Sequence, residues 1–537
     1  MAESRGTTRM RAAHRLVSYN PATGAEIGSV AVSDRRGVEE AVTRARAAQR
    51  EWAELGLGER ARVVRRAADY LVCNAERYAR LITDENGKPT VEAYVMEVIA
   101  TVEAFRYVAR FGPKILATER LHNPQLAFRH KRHELHFEPI GVVGIIAPWN
   151  YPLSIPAGQI AAALVAGDGV VLKPAPLTPL VGESIKEAFL AAGLPDDLLV
   201  VVHGDAEAGQ AMCVSEGIGK IVFTGSVEVG REVAEVCARL LKPVTLELGG
   251  KDAAIVRADA DLERASTGVL WGGTANAGQT CSGIERVYVD RRVAHEFLAR
   301  LVAKAKALRC GDPRDPRTQV GPMTSAEQYT KVVALVEDAV SRGASILCGG
   351  PADTGLAGSF YSPAVLVDVR QDMPLMREEL FGPVVPVMAF ASEEEAVALA
   401  NDSDFGLGAS VWTRDMAAAR RIAGHLEAGS VWVNDHMYSH AAYQTPWGGV
   451  KRSGVGITHS RFGFYELCHV KHISFDTGRI PVPFWYPYDE RLLRGLKAAL
   501  RAMYSPGPGA SLRVAIRERK ALAGLASRMG DMRKGRI

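Results

Sequence analysis

The residues Gly141-Val-Val-Gly-Ile-Ile-Ala-Pro-Trp-Asn-Tyr-Pro152 open the most regular part of this chain. Residues 142–147 form a continuous apolar run, the pattern of a strand covered on both faces, and helical sequence follows to Ala166. The pattern then recurs. Strands are expected at 170–173, 198–202, 220–223 and 244–247, with helical sequence between them, as at 181–192. Five buried strands alternating with helices predict a parallel α/β sheet. Ligands of such sheets sit beyond the carboxyl ends of the strands, so the residues just after each strand matter most.

Upstream, Val38, Ala41, Val42, Ala45, Ala48 and Trp52 fall at helical spacings of three and four, which predicts a helix over 37–52. More helical sequence reaches about Gly112. Residues 121–138 are polar, rich in His and Arg, and suit an exposed hairpin. Downstream, a second α/β region runs from about Gly249 to Gly449, with strands near 286–289, 383–390 and 430–433.

Composition narrows the class. A chain of 537 residues that is 47% hydrophobic exceeds one ordinary domain. No apolar run reaches the roughly 20 residues that span a bilayer. The first fifteen residues are polar and basic, without the apolar stretch of a secretory signal. Seven cysteines, Cys73, Cys213, Cys237, Cys281, Cys310, Cys348 and Cys468, are scattered and form no CxxC pair. That fits a reducing cytoplasm better than a disulfide or zinc framework. The net charge of +4 hides an uneven distribution. From Thr477 onward there are 13 Lys/Arg and four Asp/Glu, a net of +9, so the rest carries −5. No nucleic-acid-binding motif is present, and no nucleic-acid partner is expected. No H-E-x-x-H pattern occurs either. The alternating His130, His133 and His136 read as an exposed strand rather than a metal site, so no metal is expected.

The strand ends supply the chemistry. In order they are Pro148-Trp149-Asn150-Tyr151-Pro152, Lys173-Pro174, Phe223-Thr224-Gly225-Ser226 with Gly230, and Glu247-Leu248-Gly249-Gly250-Lys251. Then come Gly278-Gln279-Thr280-Cys281, Glu378-Glu379-Leu380-Phe381-Gly382-Pro383 and Pro446-Trp447-Gly448-Gly449. This ordered series resembles the aldehyde dehydrogenase superfamily from about Tyr19 to Asp476. The 34-residue spacing from Glu247 to Cys281 is similar to that of the hydrolytic, NAD(P)-dependent branch.

The resemblance implies a Rossmann-like parallel-sheet cofactor domain, an α/β catalytic domain and a small oligomerisation hairpin and strand. Their expected bounds are 16–120 with 140–248 for cofactor binding and 249–449 for catalysis. The expected oligomerisation elements are 121–139 with 466–480, and 481–537 is a basic extension. It implies Cys281 as nucleophile, Asn150 with the Cys281 amide as oxyanion donors, and Glu247 as the base that activates water. It assigns NAD or NADP to Ile146, Pro148, Trp149, Lys173, Pro176, Gly204, Phe223, Gly225, Ser226, Gly230, Leu248, Glu379 and Phe381. Gly225 to Gly230 is G-x-x-x-x-G, not the G-x-G-x-x-G fingerprint, and the family binds pyrophosphate at such a helix N-terminus.

Two positions depart from the family pattern. Pro176 stands where a Glu often holds the adenosine ribose, and Trp447 replaces the usual Phe. The loop at 435–445, with His436, Tyr438, His440 and Tyr443, matches the segment that shapes the aldehyde entrance in relatives. The expected partners are a small-molecule aldehyde and further copies of the chain, as a dimer or tetramer. The aldehyde expected is medium- or long-chain, or a semialdehyde. A cytoplasmic enzyme is expected, with peripheral membrane contact through the tail as a further possibility. The competing readings are transfer of the acyl group to coenzyme A and a non-catalytic binding or structural relative.

Overall fold

The computed structural model describes residues 10–11, 15–125, 128–479, 481–482 and 484–536. Most of the polar N-terminus and the tail positions Ile480 and Pro483 lie outside the described residues, as does the side chain of His440. The chain parts into two compact units. One comprises residues 1–117 and 137–469, the other 118–136 and 470–537.

The first unit is built around two large sheets. The strands β1 (Val142–Ile146), β2 (Gly169–Lys173), β3 (Leu199–Val201), β4 (Lys220–Thr224) and β5 (Val244–Glu247) lie where the apolar runs placed them. They pair in parallel in the order β5-β4-β1-β2-β3. Every residue of β1 and β2 is buried, as a sheet covered by helices on both faces requires. The helix Arg35–Ala53 covers one face through Val38, Ala41, Val42 and Ala45. On the other, Ala157, Ile160, Ala161 and Leu164 of Ser154–Ala166 join the core of β1 and β2. That helix is buried almost all round, so its sequence shows little amphipathic period.

The second sheet is built from β6 (Asp252–Val256), β7 (Ile284–Asp290), β8 (Ser345–Pro351), β9 (Tyr361–Val367), β10 (Val384–Phe390), β11 (Gly408–Trp412) and β12 (Ser430–Val433). Its order is β8-β9-β10-β7-β6-β11-β12. All pairings are parallel except β8 with β9 at the edge. A short strand β13 (Gly454–Val455) returns to the first sheet and pairs antiparallel with the end of β5, opposite Glu247.

The second unit contains a three-stranded sheet with the strand Cys468–Phe475 beside Arg132–Pro139, which pairs with Glu119–Leu121. The expected hairpin is therefore present. Three helices follow, Glu490–Tyr504, Pro508–Arg517 and Arg519–Arg533. Among the described residues no helix is long and apolar enough to cross a membrane, and no group of His, Cys, Asp or Glu is placed to hold a metal ion.

Candidate active site

The turn after β1 carries Asn150, and a buried ion pair holds it. Lys88 Nζ lies 2.7 Å from Glu97 Oε1, with both side chains fully buried. Lys88 also donates to the Asn150 carbonyl at 2.8 Å. The other Glu97 oxygen accepts the Leu153 and Ser154 amides at 3.2 and 2.7 Å, where the next helix starts. A carboxylate at a helix N-terminus is well placed for the helix dipole. The Asn150 amide donates one hydrogen bond, to the Gln279 carbonyl at 3.1 Å. It carries a second N–H, which makes it a candidate oxyanion donor.

The chain approaches Cys281 through a strained turn. After the helix Leu262–Thr274, Asn276, Ala277 and Gly278 all take left-handed conformations, with φ of 56°, 55° and 72°. Such a conformation costs an ordinary residue about 1–2 kcal/mol, and surrounding contacts must hold it. Asn276 supplies several. Its amide donates to Glu92 Oε2 at 2.9 Å, and its side chain donates to the carbonyls of Asn150 and Gln279 at 3.0 and 3.1 Å. Downstream, His436 is buried and its Nε2 lies 2.7 Å from the Ser282 carbonyl. A carbonyl only accepts, so Nε2 carries the proton. Burial lowers the His436 pKa to about 4, which keeps the ring neutral in this role.

Glu247 ends β5 and is buried. Its Oε1 accepts from the Thr458 hydroxyl at 3.3 Å. Gly249 and Gly250 follow, and both allow close approach. A Cβ on Gly250 would lie 2.1 Å from the Cys281 carbonyl oxygen, and one on Gly249 would lie 2.5 Å from Glu379 Oε2. Lys251 pairs with Glu285 at 2.7 Å, again with both buried. Glu285 accepts the Leu380 and Phe381 amides, each at 2.8 Å. Lys251 thus reaches the site indirectly, by fixing the loop that carries Glu379 and Phe381.

Electrostatics set the resting state. Burial raises the Cys281 pKa, and the carboxylates of Asp252, Glu379 and Glu247 raise it further. Burial also holds the Glu247 carboxyl well above the usual range, against the Thr458 hydroxyl and the Trp447 indole. Glu379 is pushed up to about 7 by burial and by Glu285. At rest the thiol and the Glu247 carboxyl both favour their protonated forms.

Two cavities meet at Cys281. One, of about 190 Å³, is lined by Pro148, Trp149, Asn150, Gly225, Ser226, Glu247, Leu248, Cys281, Glu379 and Phe381 among others. Trp149 and Phe381 meet edge to face, 5.5 Å between ring centroids. All three expected catalytic residues and seven of the expected cofactor residues come together here. The other six lie apart from this lining. Ile146 and Lys173 are cross-strand partners at the ends of β1 and β2. Phe223 lies under Gly225, and Gly230 packs against Leu248. Pro176 is half-buried in the loop after β2, and Gly204 follows β3 with φ of 150°. Ser226 caps the helix Val227–Arg239 by accepting the Val229 amide at 3.3 Å. This helix N-terminus, the aromatic walls and the Glu379 carboxyl in the room left by Gly249 suit a nicotinamide dinucleotide.

The second cavity, of about 480 Å³, is lined by Val95, Met96, Tyr151, Trp271, Met437, Tyr438, Trp447 and other apolar groups, with Thr280, Cys281, Ser282 and Gln444. Among the described residues none that lines it carries a charge. The loop expected at the entrance divides. Tyr438 lines the cavity, whereas His436 faces Ser282, and the buried Tyr443 donates to the Gly158 carbonyl at 2.9 Å.

The sequence reading missed Lys88, Glu97, Glu92, Asn276 and Thr458, and gave Gln279 no role of its own within its motif. Asn276 sits beside the Gly278-Cys281 motif, so nearness was a usable signal. Lys88 and Glu97 lie far upstream, and only the folded chain brings them to Asn150.

The chain matches the family model described as Aldehyde dehydrogenase family over residues 9–473. It is 38% identical over 464 residues to a betaine aldehyde dehydrogenase of Cereibacter sphaeroides, covering 86% of this chain and 94% of that one. It is 37% identical over 508 residues to a 4,4'-diapolycopene aldehyde oxidase of a Methylomonas species, covering 94% of each. A solved NAD+ complex of an aldehyde dehydrogenase from Bacillus cereus superposes with a TM-score of 0.82 at 36% identity, covering 86% of this chain and 93% of that one. With its ordered site motifs, its two parallel sheets and these matches, the chain belongs to the aldehyde dehydrogenase family and is an NAD(P)-dependent oxidoreductase.

Proposed function

We propose that this enzyme oxidises an uncharged, carbon-rich aldehyde to the carboxylic acid through a thioester on Cys281. The observation that carries this reading is the position of Cys281 on both cavities, beside Glu247 and Asn150 on one side and an uncharged lining on the other. The Cys281 sulfur adds to the aldehyde carbon as its proton passes to water and on to solvent. The Asn150 amide and the Cys281 N–H donate to the oxyanion that forms. Trp149, Ser226, Glu379 and Phe381 would hold the nicotinamide half of the cofactor, and Lys173 and Pro176 would face the adenosine side. The nicotinamide held by these residues would supply the acceptor for the hydride of the tetrahedral carbon. Glu247 then takes a proton from water, which hydrolyses the thioester. A carboxyl raised by burial is a poor base at rest but a strong one once ionised.

The relatives are named for different aldehydes, diapolycopene aldehyde and betaine aldehyde. The first kind suits a cavity of about 480 Å³ without a carboxylate. The second reading rests on Tyr151, Trp271, Tyr438 and Trp447, whose ring faces can attract a quaternary ammonium. The test compares kcat/KM for dodecanal and betaine aldehyde. A preference for betaine aldehyde would overturn the apolar reading. The mechanism is tested with Glu247→Gln under rapid mixing. We expect one burst of reduced cofactor per site and then a stall, because acylation outlives the loss of the base. Full steady-state turnover would remove Glu247 from the mechanism, and acyl-CoA formation by the wild type would favour transfer over hydrolysis.

A further inference from the structure

We propose that the second unit is a docking surface for anionic phospholipid. The observations lie wholly within that unit. In the helix Glu490–Tyr504, Leu492, Gly495 and Ala498 are buried. A Cβ on Gly495 would lie 2.7 Å from Leu525 Cβ, so this face packs on Arg519–Arg533. In the sequence Leu492 stands at helical spacing with Leu493, Leu496, Leu500 and Met503. The structure divides them, and the last four are exposed, with Leu500 at 61%. Leu512 and Ile516 of the next helix are exposed as well. Before these helices, Trp485, Tyr486 and Tyr488 are exposed by 62%, 78% and 66%.

The same unit is cationic. Glu490, Glu518 and Asp531 lie within 4 Å of Arg494, Arg501, Arg517 or Arg491, and Asp489 pairs with the buried Arg528 at 2.8 Å. Lys497, Arg513, Arg519, Lys520, Arg533, Lys534 and Arg536 have no acidic partner among the described residues. The hairpin adds a hollow of about 340 Å³ lined by Arg120, His122, Arg129, Lys131, Arg132 and His133, with Glu134 as the one carboxylate among its described residues. Arg120 lies 3.9 Å from Glu134 and Lys131 pairs with Asp476 at 3.1 Å, which leaves Arg129 and Arg132 without an acidic partner among the described residues. Phe128, beside Arg129, meets Phe484 edge to face at 6.3 Å, which joins the hollow to the aromatic segment.

Exposed leucines and aromatic rings among unneutralised cations are what an interfacial surface requires. The apolar groups enter the acyl boundary while Lys and Arg stay with the phosphates. An acidic protein surface would match the charge but not the apolar groups. This inference stands apart from the proposed substrate, because lipid binding is read without any aldehyde.

The full-length protein is sedimented with vesicles of phosphatidylcholine alone or with about 30% phosphatidylglycerol. Binding should require the anionic lipid and fall steeply with salt. Replacing Lys497, Arg513 and Lys520 by Gln should lower partitioning by about 100-fold. Trp485→Ser with Leu500→Ser should weaken it at constant charge. Turnover of a short soluble aldehyde, measured alongside, should not change in either variant, which shows that the body remains folded. Equal binding to both vesicle types, or none to anionic ones, would overturn the proposal. So would loss of oligomer mass in the variants with unchanged lipid binding, because the face would then belong to a second copy of the chain.

Discussion

Lys173 shows how one residue can make cofactor choice depend on pH. It ends β2, and burial lowers its pKa to about 8. Its ammonium is therefore charged below that pH and lost above it. Pro176, three residues on, offers neither an acceptor for a ribose hydroxyl nor a charge to repel a phosphate. If Lys173 faces the adenosine ribose, NADP binding should weaken relative to NAD as pH rises from about 7 to 9, a range that brackets this ionisation. Fluorescence titration of both cofactors across that range measures it, and a flat ratio would exclude Lys173 from the 2′-phosphate. Pro176→Glu should move the ratio toward NAD at every pH. A wild-type preference for NAD above about a thousand-fold, roughly 4 kcal/mol, would show that other contacts decide.

Between elements, the buried Lys88–Glu97 pair ties the turn of Asn150 to residues far upstream. Glu97→Ala leaves the Lys88 ammonium buried beside the Asn150 carbonyl and strips two amides of their acceptor. We expect a loss of about 3–5 kcal/mol in stability, read by denaturant unfolding, and a kcat loss from misplacement of Asn150. A change below about 1 kcal/mol would mean that water replaces the carboxylate without cost. This pair also marks the limit of what the sequence discloses. Strands β1 to β5 were legible because double burial writes continuous apolar runs. Cys281, Glu247 and Asn150 were legible because their glycine- and proline-rich neighbours form a series in fixed order. Lys88, in the Gly87-Lys88-Pro89 loop, and Glu97, in helical sequence, belong to no such series, and each charge reads as solvated until its burial is known. Lys251 was visible in its motif, but its role through Glu285 was not, because that contact spans 34 residues.

For the whole molecule, the free edge of the sheet in the second unit predicts self-association. Among the described residues the strand Cys468–Phe475 pairs on one side only, and Val470 and Phe475 are exposed by 56% and 47%. Unpaired edges of this kind favour strand addition from another copy. We therefore expect a homo-oligomer. Light scattering at micromolar concentration should give at least twice the 57.9 kDa chain mass. A monomer mass would leave that edge to some other partner.

The meeting of two cavities at one sulfur also governs traffic. If each cavity admits its own ligand, neither substrate has to leave for the other to enter, and the thiol acts as the wall between two separate entrances. Each side can then be blocked alone. A nucleotide fragment should compete with the cofactor but not with the aldehyde, while a long-chain amide should do the reverse. Initial-rate inhibition patterns would reveal this directly. Competition of either compound with both substrates would mean that the partition at Cys281 and Ile155, which lines both cavities as well, opens during turnover.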